Sequence, residues 1–181
     1  MRKTLVTLFC AAALFAADAP RRAPGFCLID STAQWRDLAD YRGKAVLLEF
    51  MQTTCAHCAA FASRLKEIQQ KYGARLQILA VALPPDNPNT ILQYVNGHGI
   101  TYPVLFDMGQ VAGSYVRVPA LDFPTIYVID ANGMIHSHYE YGALTHDIFE
   151  ANALLPELDK LVGAVAVPAA KKSSRGQELA G

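Results

Sequence analysis

From Ala45 to Met51 the chain is apolar at every position except Glu49, and a helical pattern begins almost immediately afterwards. A run this continuous suits a central strand covered on both faces, because a strand wet on one side would alternate polar and apolar residues. The helical pattern starts at Cys55 and carries Phe61, Leu65, Ile68 and Tyr72 at three- and four-residue spacing until Gly73 ends it. Leu76 to Leu83 repeats the buried-strand composition, and Pro84 to Pro88 leads into a second helix expected over about Asn89–Val95. Strand, helix, strand, helix is the order of a parallel sheet with helical crossovers, so the sequence predicts an α/β domain.

The remainder extends that sheet. Phe26 to Asp30 is a short apolar run that reads as an N-terminal strand, and Cys27 within it reads as a small buried apolar residue. Tyr102 to Phe106 is a further extended piece, followed by a helical turn over Gly109–Tyr115. Pro124 to Ile129 and Met134 to Tyr141 flank Asp130-Ala131-Asn132-Gly133, and the Asn-Gly pair suits the tight turn of an antiparallel hairpin. Thr145 is expected to cap a final helix carrying Ile148, Phe149, Leu154, Leu155, Leu158 and Leu161, divided or kinked at Pro156. There is no internal repeat, and 181 residues suffice for one domain with a core of its own.

The two ends differ from this body. Arg2 and Lys3 precede an uncharged run from Thr4 to Ala17 closed by small residues, the layout of a secretory signal, and too short for a comfortable membrane span of roughly 20 residues. Residues 1–17 are therefore expected to direct export to the periplasm or outside the cell, with an uncleaved membrane tether through residues 4–17 as the alternative. Loss of residues 1–17 removes two of the 16 basic residues and none of the 16 acidic ones, leaving a net charge of −2. That balance excludes a nucleic-acid binder, and the small cluster Lys171, Lys172 and Arg175 does not alter it. Residues 18–163 form the expected domain, and 164–181, rich in Ala, Lys and Ser, a disordered tail.

Beyond the signal segment, where Cys10 reads as filler, three cysteines remain: Cys27, Cys55 and Cys58. In an oxidising compartment a close pair is a structural bridge or a redox centre, and a domain this long needs no staple. The spacing Cys55-Ala56-His57-Cys58 closes a small ring at a helix start, where unpaired backbone N–H groups and the helix dipole favour a thiolate. Cys55, at the end, reads as the nucleophile. Cys58, one turn further in, reads as the thiol that resolves a mixed disulfide on Cys55. His57 lies between them, and its imidazolium would stabilise the Cys55 thiolate. Glu49 is costly to bury as a charge inside an apolar strand, so a raised pKa and a role in taking the Cys58 proton are expected of it.

Gly43-Lys44 before an apolar strand, Glu49-Phe50, Cys55-Ala56-His57-Cys58, and Phe123-Pro124-Thr125 before Tyr127-Val128-Ile129-Asp130 resemble the TlpA-like thioredoxins of the redoxin superfamily across roughly residues 23–163. The resemblance implies a thioredoxin-like fold: a central mixed sheet flanked by helices, with an inserted strand-helix unit between the Cys55 helix and the strand after Pro124. It implies that Pro124 is a cis proline facing the cysteines, that the Phe123 backbone pairs with a substrate chain, and that Glu49 matches the buried acid of thioredoxins. The implied activity is thiol-disulfide exchange between the Cys55–Cys58 pair and exported cysteine-containing proteins. A thiol reductant or oxidant serves as the second partner, no cofactor or metal is used, and the protein is a monomer. A potential between thioredoxin's, about −270 mV, and DsbA's, about −120 mV, is expected. The chain departs from the pattern at Met51 and Thr54, where tryptophans are common, and at Phe61, where some cytochrome-maturation relatives carry an acid.

Two rival functions remain open on sequence. One is a thiol peroxidase, in which Cys55 attacks peroxide with Thr54 before it. The other is a copper chaperone using Cys55 and Cys58 with His136 or His138, which by strand alternation share a face. Zinc would want four ligands, and no second cysteine pair exists. His98 and His146 carry no sequence signal of a site.

Overall fold

A computed structural model describes residues 21–116, 121–150 and 153–164. The segments read as signal and tail lie outside these residues, except that Ala164 closes the last helix. In chain order the elements are β1 (Arg21–Arg22), β2 (Cys27–Ile29), β3 (Trp35–Asp37), β4 (Ala45–Met51), α1 (Ala56–Tyr72), β5 (Leu76–Ala82), α2 (Pro88–His98), β6 (Val104–Phe106), α3 (Gln110–Tyr115), β7 (Thr125–Ile129), β8 (Met134–Glu140), α4 (His146–Phe149) and α5 (Leu155–Ala164). The main sheet runs β1-β8-β7-β4-β5-β6, and β2 pairs with β3 in a separate ribbon. Strands β4, β5 and β6 are parallel, whereas β7, β8 and β1 join antiparallel. This is the mixed sheet of the expected fold, and β6 with α3 is the extra strand-helix unit before Pro124.

All seven residues of β4 are buried, as its unbroken apolar run requires. Its alternate side chains build two cores. Ala45, Leu47 and Met51 face α1 and pack with Cys58, Phe61, Leu65 and Ile68. Val46, Leu48 and Phe50 face the other way, onto Leu79, Val81, Tyr115 and Tyr127. Glu49 shares its strand alternation with Leu47 and Met51, so it points toward α1. Helix α1 stops where Gly73 takes a positive φ of 55° and its N–H closes on Gln69 O. In the hairpin turn Gly133 sits at φ 74°, where a side chain would also collide with the Arg42 guanidinium.

Four expectations change. Cys27 is exposed, because in the short β2–β3 ribbon it is Leu28 that turns inward against the second core. Helix α2 is longer than expected at both ends: Asn87 caps it in a reciprocal arrangement with Thr90, Pro88 fills its first turn, and Gly99 ends it. Thr145 makes no side-chain cap; its hydroxyl donates instead to Glu140 O (2.5 Å), and the expected division of the last helix falls just before Pro156, which sits in the first turn of α5. His136 and His138 do not share a face, because a bulge shifts the β7–β8 register between Val128↔Ser137 and Ile129↔Ile135. His138 stacks on Tyr127 at 5.4 Å over the second core, whereas His136 lies 3.8 Å from Glu157 on α5.

Candidate active site

Parallel strands β4 and β5 deliver the chain to one end of the sheet, and α1 begins there. Cys55 is the N-cap of α1, with extended backbone (φ −78°, ψ 115°), and its Sγ accepts the N–H of Cys58 at 3.1 Å. A sulfur in the position usually held by a Ser or Asp oxygen meets the unpaired donors and positive dipole end of the helix, the environment that stabilises a thiolate. Both cysteines are free thiols: Cys55 is partly exposed and Cys58 completely buried. The two sulfurs thus differ in exposure, Cys55 reaching the surface and Cys58 facing the core.

Phe123-Pro124 is a cis peptide bond at the start of β7. Because Thr125 pairs with Phe50, the Pro124 loop lies at the same end of the sheet as Cys55, and the Cys55 thiol donates to Phe123 O at 3.6 Å. The carbonyl that the resemblance assigns to a substrate strand is therefore beside the exposed sulfur.

Glu49 is 2% exposed, and its Oε1 has no hydrogen-bond partner. Burial pushes its pKa from 4.5 up to about 8. Burial also pushes the Cys58 thiol well above its ordinary range, with the Glu49 charge and the Cys55 side chain adding to the shift. Tyr94 and Tyr102, whose phenols are raised by burial first and by the Glu49 charge second, are buried in the same core. His57, by contrast, is exposed and stacks on Tyr141, ring centroids 4.0 Å apart and planes 22° from parallel.

Two contributors had no sequence signal. Asp86, 6% exposed, accepts the Thr53 N–H at 2.7 Å, the Thr53 hydroxyl, and the Thr90 hydroxyl at 2.9 Å. It ties the residues preceding Cys55 to the loop that opens α2, where Pro84-Pro85 is a second cis bond and Pro84 O accepts from Gln52 Nε2 at 2.6 Å. Tyr141 is the other: its N–H donates to Pro124 O at 3.0 Å while its ring receives His57. A buried Asp beside a Pro-Pro pair is at most a hint, and a tyrosine ending a strand is none.

Residues 20–138 match the AhpC/TSA family, a span well over half of the chain. The chain belongs to the AhpC/TSA family. Among relatives, the thiol-disulfide oxidoreductase ResA of Geobacillus thermodenitrificans is 33% identical over 117 residues, 62% of this chain and 64% of that protein. The thioredoxin-like protein YneN of Bacillus subtilis is 26% identical over 117 residues, 64% of this chain and 67% of that one. The matches thus span about two thirds of these relatives' lengths. A Chlorobium tepidum structure bearing the name thiol:disulfide interchange protein DsbE aligns over 81% of this chain and 99% of its own, with TM-score 0.69 and 25% identity. These relatives bear out the redoxin and thioredoxin-like reading of the motifs.

Among the described residues no three His, Cys, Asp or Glu side chains gather as a metal site, so neither His136 nor His138 joins the cysteine pair. No helix among the described residues is long and apolar enough to cross a membrane.

Proposed function

We propose that this chain is a thiol-disulfide oxidoreductase that exchanges a Cys55–Cys58 dithiol or disulfide with exported cysteine-containing proteins through a mixed disulfide on Cys55. The observation carrying the reading is the placement of Cys55: its sulfur caps α1 and lies 3.6 Å from Phe123 O beside cis Pro124. In the reducing direction the Cys55 thiolate attacks one sulfur of a substrate disulfide, and the first substrate thiolate leaves. Cys58 then gives its proton to the Glu49 carboxylate and attacks Cys55 Sγ. The Cys55–Cys58 disulfide forms, the second substrate thiolate departs, and two electrons have passed to the substrate. Oxidation of a dithiol partner is the same sequence reversed.

Glu49 is the proton acceptor for the buried thiol, whose ionisation burial displaces far above neutral pH. Phe123 O and the adjoining Pro124 edge receive the substrate backbone, and His57 adds positive charge beside the Cys55 thiolate when its ring is protonated. Residues 1–17 direct the chain to the periplasm or outside the cell, or tether it there through residues 4–17, and the domain works as a monomer.

The test is Cys58→Ala, offered a disulfide-containing peptide. A stable one-to-one mixed disulfide on Cys55 is expected, and none should form with the Cys55→Ala variant. Absence of any adduct, together with rapid peroxide consumption by the Cys58→Ala protein, would replace this reading with the peroxidase one.

A further inference from the structure

His57 is the second residue of α1 and its side chain is exposed. An exposed imidazole ordinarily samples several rotamers, and the charge it brings to a neighbouring sulfur would be averaged over all of them. Here one orientation is selected. The ring lies flat on Tyr141, 4.0 Å away and 22° from parallel.

Tyr141 is itself fixed from several sides. Its N–H donates to Pro124 O at 3.0 Å. Its ring packs on Phe149 at 5.5 Å, which meets Phe61 of α1 at 5.2 Å. The chain after it is folded back by the Thr145 hydroxyl on Glu140 O and the Thr145 N–H on Gly142 O. One residue therefore touches the dipeptide between the cysteines with its side chain and the cis-proline loop with its backbone.

We propose that Tyr141 is a positioning residue that sets the redox equilibrium of the Cys55–Cys58 pair through its stack with His57. The proposal rests on the thiol-disulfide reading above and deepens it. A flat aromatic face holds the imidazole beside the first turn of α1, and attracts the ring further whenever it is protonated. An imidazolium two residues from Cys55, in the same first turn of α1, favours the thiolate of the dithiol form. It has no comparable partner in the disulfide form, so the stack favours the reduced protein.

The experiment is the equilibrium constant against glutathione, read by alkylation, for the full chain and for Tyr141→Phe, Tyr141→Leu, His57→Ala and His57→Ala/Tyr141→Leu. Phenylalanine keeps the aromatic face and should stay within about twofold of the parent. Leucine keeps apolar bulk but loses the face, and should move the equilibrium about three- to tenfold toward the disulfide. A tenfold change corresponds to about 30 mV. The double variant should match His57→Ala within about twofold, because the effect travels through the imidazole.

The proposal is overturned if Tyr141→Leu leaves the equilibrium unchanged, or shifts it equally with and without His57. It also falls if His57→Ala alone changes nothing while exchange proceeds, an outcome that leaves the thiol-disulfide reading intact. Failure of the parent protein to exchange disulfides at all would instead refute that underlying reading. Circular dichroism and thermal unfolding check each variant, and Tyr141→Met replaces the leucine variant in the same cycle should leucine unfold the protein.

Discussion

Replacing Glu49 with glutamine keeps the shape of a buried acid and removes its titration, which isolates the energetic consequence of placing a carboxyl under α1. The folded protein holds this proton up to about pH 8, whereas an unburied glutamate gives it up at 4.5. Between those two values the native state binds one more proton than the unfolded chain, so stability falls as pH rises. The contribution is fully present below about 4.5 and exhausted above about 8. At about 1.4 kcal/mol per tenfold change in proton affinity, the gap from 4.5 to about 8 is worth on the order of 5 kcal/mol. That is a large fraction of the 5–15 kcal/mol typical of a whole domain. The assay is urea unfolding of parent and Glu49→Gln from pH 5 to pH 8 with the thiols kept reduced. Staying below pH 8 keeps thiol ionisation out of the comparison, since the buried Cys58 would otherwise add a loss of the same sign. The parent should lose stability relative to the variant by about 1 kcal/mol or more per pH unit across this range. Parallel pH profiles would refute the raised pKa and, with it, the reason for assigning Glu49 a proton-transfer role.

In the proposed mechanism the same carboxyl takes the Cys58 proton in the second half of exchange. Resolution of the mixed disulfide should quicken about tenfold per pH unit up to about 8 in the parent, by stopped-flow, and lose that dependence in Glu49→Gln. Asp86→Ala leaves the Thr53 N–H and hydroxyl and the Thr90 hydroxyl without their acceptor. A loss of about 2–4 kcal/mol in urea unfolding is expected. Attack by Cys55 on a model disulfide should slow about tenfold or more, because the residues leading into the cap are no longer held. An unchanged rate with reduced stability would make Asp86 purely structural.

What could be read in advance divides by the range over which it is encoded. Strand β4 and helix α1 announce themselves through a run of seven buried residues and a helical period closed by Gly73. The cysteine pair and the acid are equally local, since a carboxylate inside that run has no ordinary reason to be there. The cis state of Pro124 followed from the family pattern, because nothing in a Phe-Pro pair itself selects it. A three-residue strand does not reveal which of its faces is covered, so Cys27 read as buried when Leu28 is the inward residue. One extra residue in β8 reversed the relation of His136 to His138, and a bulge leaves no mark on a simple alternation of side chains. The Asp86 clamp and the Tyr141 stack join segments far apart in the chain, so no local window contains both partners. Thr145 has a side chain suited to capping, but its hydroxyl is already committed to the turn after β8.

The reduction potential of Cys55 and Cys58 tests the central claim most directly, by titration of the signal-free protein against glutathione with the two thiols counted after alkylation. A reversible, two-electron intramolecular disulfide with a potential between about −270 mV and about −120 mV is expected. A pair that never closes at any glutathione poise, leaving both thiols alkylated throughout, would contradict the account.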